Sequence, residues 1–104
     1  MLITTTDLLP NRNYQPLGLV RGNVAYRKRK NTDSMDSIYE IVTGGEIKSY
    51  TNMLNEARDI AEERMVHEAT SLGADAIIGM RFMNDTVSEG TIEVIAYGTA
   101  VKYQ

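Results

Sequence analysis

Cysteine and tryptophan are absent from this 104-residue chain, and histidine occurs once, as His67. Without cysteine there is no disulfide, no thiolate zinc site, no iron–sulfur ligation and no Cys nucleophile. One histidine, on what reads as the polar side of a helix, leaves no Ser–His–Asp or Cys–His arrangement. The aromatics are six Tyr and Phe82, so the core rests on Ile, Leu, Val, Met and Ala. The only prolines, Pro10 and Pro16, fall in one connection. No stretch reaches the roughly 18 apolar residues of a membrane span. The start, "MLITTTDLLPNRN", shows no basic region followed by an apolar block, so no secretory signal is expected. One domain over residues 1–104, in a reducing cytoplasm, is the expectation.

Charge is unevenly spread. Residues 1–30 carry six Lys or Arg against the single acid Asp7, whereas residues 31–104 carry five against thirteen acids. Much of the positive charge is one run, Arg27-Lys28-Arg29-Lys30. Such a run suits an anionic partner. It lacks a groove-reading motif and a stacking platform, so nucleic acid is not the expected partner and a solvated strand end is.

The chain then divides by periodicity. Residues 1–6 read as a short strand, Leu8–Pro16 as a connection, and Leu17–Arg29 as a second strand broken by Gly22, where a bulge or a close backbone approach is expected. Met35, Ile38, Tyr39 and Val42 share helical spacing, which predicts a short helix ended by Gly44-Gly45. Ser49–Leu72 is a long amphipathic helix. Its apolar stripe is Tyr50, Met53, Leu54, Ala57, Ile60, Ala61, Met65, Ala69 and Leu72, and neither Pro nor Gly interrupts it.

The stretch "LGADAIIGM" (72–80) joins this helix to a strand. A phosphate cradle needs the opposite order, with a glycine loop leading into a helix N-terminus. Gly73 is instead the expected left-handed residue after a helix end, and Gly79 is expected to allow close packing against the helix or a neighbouring chain. Two strands follow, joined by a turn at Ser88–Gly90. Simple alternation puts Ala76, Ile78, Met80 and Phe82 on one face and Ile77, Gly79, Arg81 and Met83 on the other. In the last strand Ile92, Val94, Ala96, Gly98 and Ala100 alternate with Glu93, Ile95, Tyr97, Thr99 and Val101. Both faces are apolar, and one helix covers one face. The second face, with Ile77, Met83, Ile95 and Val101, is expected to be covered in part by another subunit.

Few side chains suggest chemistry. Glu63 and His67 stand one helical turn apart, with Glu56 on the same side. They are the candidate metal ligands, but they supply two of the four donors of a closed zinc site. Met53, Met65 and Met80 read as core fillers. Asp75, beside a helix C-terminus where a carboxylate is disfavoured, reads as an acceptor of backbone N–H bonds in the turn. Glu93 is a candidate partner of Arg81, more often structural than catalytic. No catalytic residue is assigned, and no cofactor is identified.

The blocks "EARDIAEERMVHEATSLGADAIIGMRF" and "YGTAVKY", with "ITTTD", "LGLVRGNVAY" and "VTGGEIKSYTNML", give the chain a clear resemblance to the YbjQ-like family of small bacterial and archaeal proteins. The resemblance covers essentially the whole chain. It implies an α+β fold: a two-layer βαββ-type α/β sandwich, dodecin-like, with an antiparallel sheet, the long helix and the short one. It also implies a ring-shaped homopentamer, and the number five comes from the resemblance alone. The family carries a heavy-metal-binding label without assigned residues. The expected function is a non-enzymatic oligomeric protein holding a small ligand or partner at subunit interfaces. The alternative is a heavy-metal-binding protein whose ligands, carboxylates with His67, come together in the oligomer. Less favoured are an enzyme using interface carboxylates and an anion-binding module using Arg27–Lys30.

Overall fold

The computed structural model describes residues 1–27, 45, 47–88 and 90–104. The predicted short helix around Met35–Val42 lies outside the described residues, as do Lys28, Arg29 and Lys30 of the basic run. The described elements are β1 (Leu2–Ile3), β2 (Tyr14–Arg27), α1 (Lys48–Ser71), β3 (Ala76–Ser88) and β4 (Thr91–Tyr103). The fold is α+β, as expected.

The sheet runs in the order β1-β3-β4-β2. β4 lies antiparallel to β2 and β3, and β1 lies parallel to β3. The sheet is therefore mixed rather than wholly antiparallel, through the two-residue β1. The second strand begins three residues earlier than its sequence pattern and includes Pro16. Proline lacks the N–H of a ladder but is tolerated on an edge strand or at a bulge. β2 is an edge, and its register with β4 shifts between Pro16 and Gly18.

Why α1 lies where it does follows from its small residues. Its buried positions are Met53, Ala57, Ala61, Met65 and Ala69, spaced four apart along one side. The three alanines let the helix backbone descend onto β2. At the contact, Gly22 is buried, and a Cβ on it would overlap the Ala61 carbonyl oxygen and the Met65 amide nitrogen. Gly22 thus marks a close approach, not a bulge. Val20, Val24, Ile92, Val94, Ala96, Ala100, Ile77 and Met80 complete this core. Tyr50 and Leu72, the ends of the predicted stripe, stay 39% and 49% exposed because the sheet does not extend beneath them.

The helix ends as its glycine predicts. Gly73 has φ +79. Its N–H donates to the Thr70 carbonyl at 2.9 Å, and the Ala74 N–H to the Ala69 carbonyl at 3.0 Å. This pair of bonds is a Schellman closure.

The alternation expected along β3 does not hold. Ile78 faces Thr99 and Arg81 faces Tyr97, so Gly79 and Met80 together oppose Gly98. This is a bulge with Gly79 at φ +61, a conformation that favours glycine. Gly79 is there for its backbone angle; a Cβ would meet only Asp7 Oδ1 at 3.7 Å. The extra residue returns Met80 and Phe82 to the face of Ile77, and leaves Ile78 with Arg81 and Met83 on the other. Ile77 is therefore core beneath α1, fully buried, rather than part of the second face. Val101 does belong to the second face, but it is fully buried with Ala76 and Ile78 under Leu9, Tyr14 and Tyr103.

Two substitutions test these contacts. Gly22→Ala should destabilise the fold by about 1–3 kcal/mol, because the helix must lift off β2. Gly73→Ala should cost about 1 kcal/mol, as a left-handed residue gains a Cβ. Both are measured by chemical denaturation, and an unchanged midpoint for Gly22→Ala would mean the helix does not rest on β2.

Candidate functional site

The face of the sheet turned away from α1 can be read as rows across β2, β4 and β3. From the covered end they are Leu19–Thr99–Ile78, Arg21–Tyr97–Arg81, Asn23–Ile95–Met83 and Ala25–Glu93–Asp85. Ile78 is buried by the N-terminal connection, but Leu19 is 59% and Met83 57% exposed. Ile95 and Tyr97 are half-buried between the flanking strands. Of the four apolar residues expected on this face, Met83 remains open and Ile95 half-buried, whereas Ile77 and Val101 are covered within the chain.

Charge on this face is banded. A cationic row, Arg21 and Arg81 beside Tyr97, is separated by the Ile95 row from an anionic row, Glu93 and Asp85. The two arginines cross the sheet on either side of one tyrosine, a juxtaposition that depends on the register of three strands. Arg81 Nη1 donates to the Thr5 carbonyl at 3.0 Å and the Met80 carbonyl at 2.9 Å. That holds the side chain over the edge where β1 joins. The expected Glu93–Arg81 pair is therefore not formed: Glu93 stands opposite Asp85, four residues along β4 from Arg81's neighbour Tyr97.

Asp75 does accept a backbone hydrogen bond, but from across the sheet rather than in the turn. Its Oδ2 receives the Tyr103 N–H at 2.8 Å, while its own N–H donates to the Val101 carbonyl at 2.8 Å. The carboxylate thus extends the β3–β4 ladder by one rung. The Tyr103 N–H holds its carboxyl below the usual value of 3.8 against the opposing effect of burial, helped by the nearby Lys102 ammonium at 3.5 Å and the Arg12 charge. Arg12 itself lies over the Tyr103 ring at 3.8 Å from its centroid.

Glu63 and His67 are both exposed on the outer surface of α1, as is Glu56. Among the described residues no three His, Cys, Asp or Glu side chains gather into a set able to hold a metal ion. Soft metals want thiolate or imidazole donors, and this chain offers no Cys and one His. The described residues of a single chain therefore do not fit a closed heavy-metal site. Met53, Met65 and Met80 are buried in the core, as expected of fillers. Among the described residues no helix is long and apolar enough to cross a membrane.

Because its folded-state pKa is depressed, Asp75 contributes stability that is fully present above 3.8 and is lost as pH falls through its lowered value. Thermal melts of wild type and Asp75→Asn should differ most at neutral pH and converge as the pH falls below that value. A gap independent of pH would show that the charge is not involved.

Comparison with known proteins agrees with the fold and does not add an activity. A UPF0145 protein of Thermotoga petrophila is 50% identical over 105 residues, spanning 100% of this chain and 98% of its own. A UPF0145 protein of Vibrio parahaemolyticus is 48% identical, over 98% and 97%. The crystal structure of a DUF74-family protein of unknown function from Pediococcus pentosaceus has the same fold, with TM-score 0.72 at 22% identity over 100% of this chain and 98% of that one. None of these names states a reaction. The YbjQ family model, described as "Putative heavy-metal-binding", matches residues 1–104, and the chain belongs to that family.

Proposed function

We propose that this chain is the subunit of a homo-oligomer, five copies by the family resemblance, that acts without catalysis. A small ligand or partner is held where the copies meet. The observation that carries this reading is the second sheet face. Leu19 and Met83 stand more than half exposed beside Ile95 and Tyr97, and among the described residues the one helix covers only the opposite face. Contiguous apolar surface of that kind marks association. The cytoplasm is the proposed compartment, in keeping with the lack of cysteine.

Native mass spectrometry and light scattering test the reading, and the expected mass is five times the 11.6 kDa of one chain. Leu19→Asp should lower it without unfolding the subunit, because Leu19 is 59% exposed in the single chain. A wild-type mass of one chain across micromolar concentrations would overturn the proposal.

The family description favours a second reading, heavy-metal binding by carboxylates with His67. Among the described residues one chain supplies the Glu63–His67 pair, and in this reading the remaining ligands come from a neighbouring copy. Titration calorimetry of the assembled protein should show no stoichiometric zinc binding tighter than roughly micromolar, since two ligands leave most of the coordination sphere to water. Tight binding at a fixed ratio per subunit, abolished by His67→Ala, would establish the metal reading instead.

A further inference from the structure

Two arginines on the outer face of the sheet stand without a counter-charge. Arg21 of β2 and Arg81 of β3 flank Tyr97 of β4 in one row. Among the described residues the one ion pair joins Lys102 to Asp75, near the far end of the strands. Asp7 lies near the bulge, 3.7 Å from where a Gly79 Cβ would stand, but forms no ion pair with Arg81. Glu93 and Asp85 are two rows away, about 14 Å along the strands and beyond the ~8 Å screening length of physiological salt. Other arginines have their own contacts: Arg12 lies over Tyr103, Arg58 near Phe82, and Arg64 donates to the Asn23 carbonyl. The row is thus a local positive patch on a chain of net charge −3.

Arg81 is held in a form that suits an oxyanion. A guanidinium has five N–H donors, two of them on Nη1. The Thr5 and Met80 carbonyls, at 3.0 and 2.9 Å, take the donors of Nη1. These bonds orient the group and leave its Nε–H and Nη2–H edge free. That edge presents two parallel N–H bonds, the fork that meets a carboxylate or phosphate bidentately. The side chain is ordered before any ligand arrives, which lowers the cost of binding. Among the described residues the Tyr97 hydroxyl has no hydrogen-bond partner, and no arginine lies over its ring.

We propose that the row Arg21–Tyr97–Arg81 binds the oxyanion head, carboxylate or phosphate, of a small organic molecule whose apolar body lies along Ile95 and Met83. The head meets the free edge of Arg81, with the Tyr97 hydroxyl as a further donor. Arg21 is exposed and stands about 10 Å from Arg81 across β4, so its long side chain closes on the same head. Apolar side chains adjoin the cationic row on both sides: Leu19 and Met83 are more than half exposed, and Ile95 is half-buried. They favour a ligand that is apolar beyond its head. The Glu93–Asp85 row bounds the site and repels a second anionic end. The proposal rests on the reading that this face holds a small ligand between copies, because one open sheet leaves a side of the ligand in water.

Saturation-transfer NMR titrations of the full chain with benzoate, phenyl phosphate and benzyl alcohol test the site. The two anions should bind saturably, and the neutral alcohol at least roughly ten-fold more weakly. Whichever anion binds tighter identifies the preferred head. Arg81→Lys keeps the charge but removes the fork, and should weaken the better anion about ten-fold. Arg21→Gln, on an exposed position, should weaken it several-fold, whereas Arg12→Gln should leave it unchanged. Circular dichroism checks that each variant folds. Equal binding of benzyl alcohol, no saturable binding of either anion, or unchanged binding by folded Arg21→Gln and Arg81→Lys would overturn the proposal. Native mass spectrometry of the same samples separates the two readings. An assembled protein that binds neither anion refutes this site alone, whereas a single-chain mass refutes the interface and the enclosed site with it.

Discussion

The contact on which the structure depends is the descent of α1 onto Gly22. Three alanines on the helix and a glycine on β2 bring two backbones together with no side chain between them. Dispersion and apolar burial are strongest where surfaces fit this closely. The result is a thin core, two layers deep, in which Met65, Val20, Val94 and Ile77 are the largest fully buried side chains beside Val101. The same contact commits the helix to β2 and β4 and leaves the distal half of β3 with little cover: Phe82 is 38% exposed, with the Arg58 guanidinium 5.9 Å from its ring centroid. Among the described residues the sheet therefore has one finished side and one left unfinished.

How much of this was legible beforehand depends on which kind of constraint wrote it. The long helix and its glycine stop were readable, because periodicity and left-handed glycine are local effects carried by neighbouring residues. The bulge at Gly79-Met80 was not. Nothing near Gly79 distinguishes a bulge from a close approach, because the difference lies in which residues of β4 stand opposite. One extra residue puts the positions before it out of step with those beyond it. Simple alternation through the bulge therefore set Ile77 on the face of Met83, whereas it lies in the core. Gly22 was open to two readings for the same reason, since its partner is a helix forty residues away. The parallel β1 and the edge role of Pro16 are likewise properties of pairing, not of local sequence.

The site was less legible than the fold. The residues that drew notice for their chemistry, Glu63, His67 and Asp75, are an exposed pair on a helix and a rung of the ladder. The arrangement with the clearest pattern, Arg21–Tyr97–Arg81 above Glu93–Asp85, is made of residues from three strands. It exists only once register is known. Arg81 and Glu93 drew notice only as a candidate pair with each other, and Arg21, Tyr97 and Asp85, taken singly, are ordinary strand residues. The heavy-metal description meets a similar limit from the other side: donor chemistry is visible in composition, and one histidine without cysteine does not close a soft-metal site within the described chain.

The open surface is the consequence of a shortage. A small domain gains stability from the fraction of surface it buries, and that fraction falls with size. Spending the single helix of the described fold on one face leaves apolar residues such as Leu19 and Met83 in solvent, where each adds to the drive toward association. Charge then decides the form that association takes. Arginines in one row and carboxylates in another, with an apolar row between, repel a copy laid in the same register and attract one that is shifted or reversed. Apolar surface alone would favour indiscriminate stacking. Banded charge converts that tendency into a small number of allowed alignments.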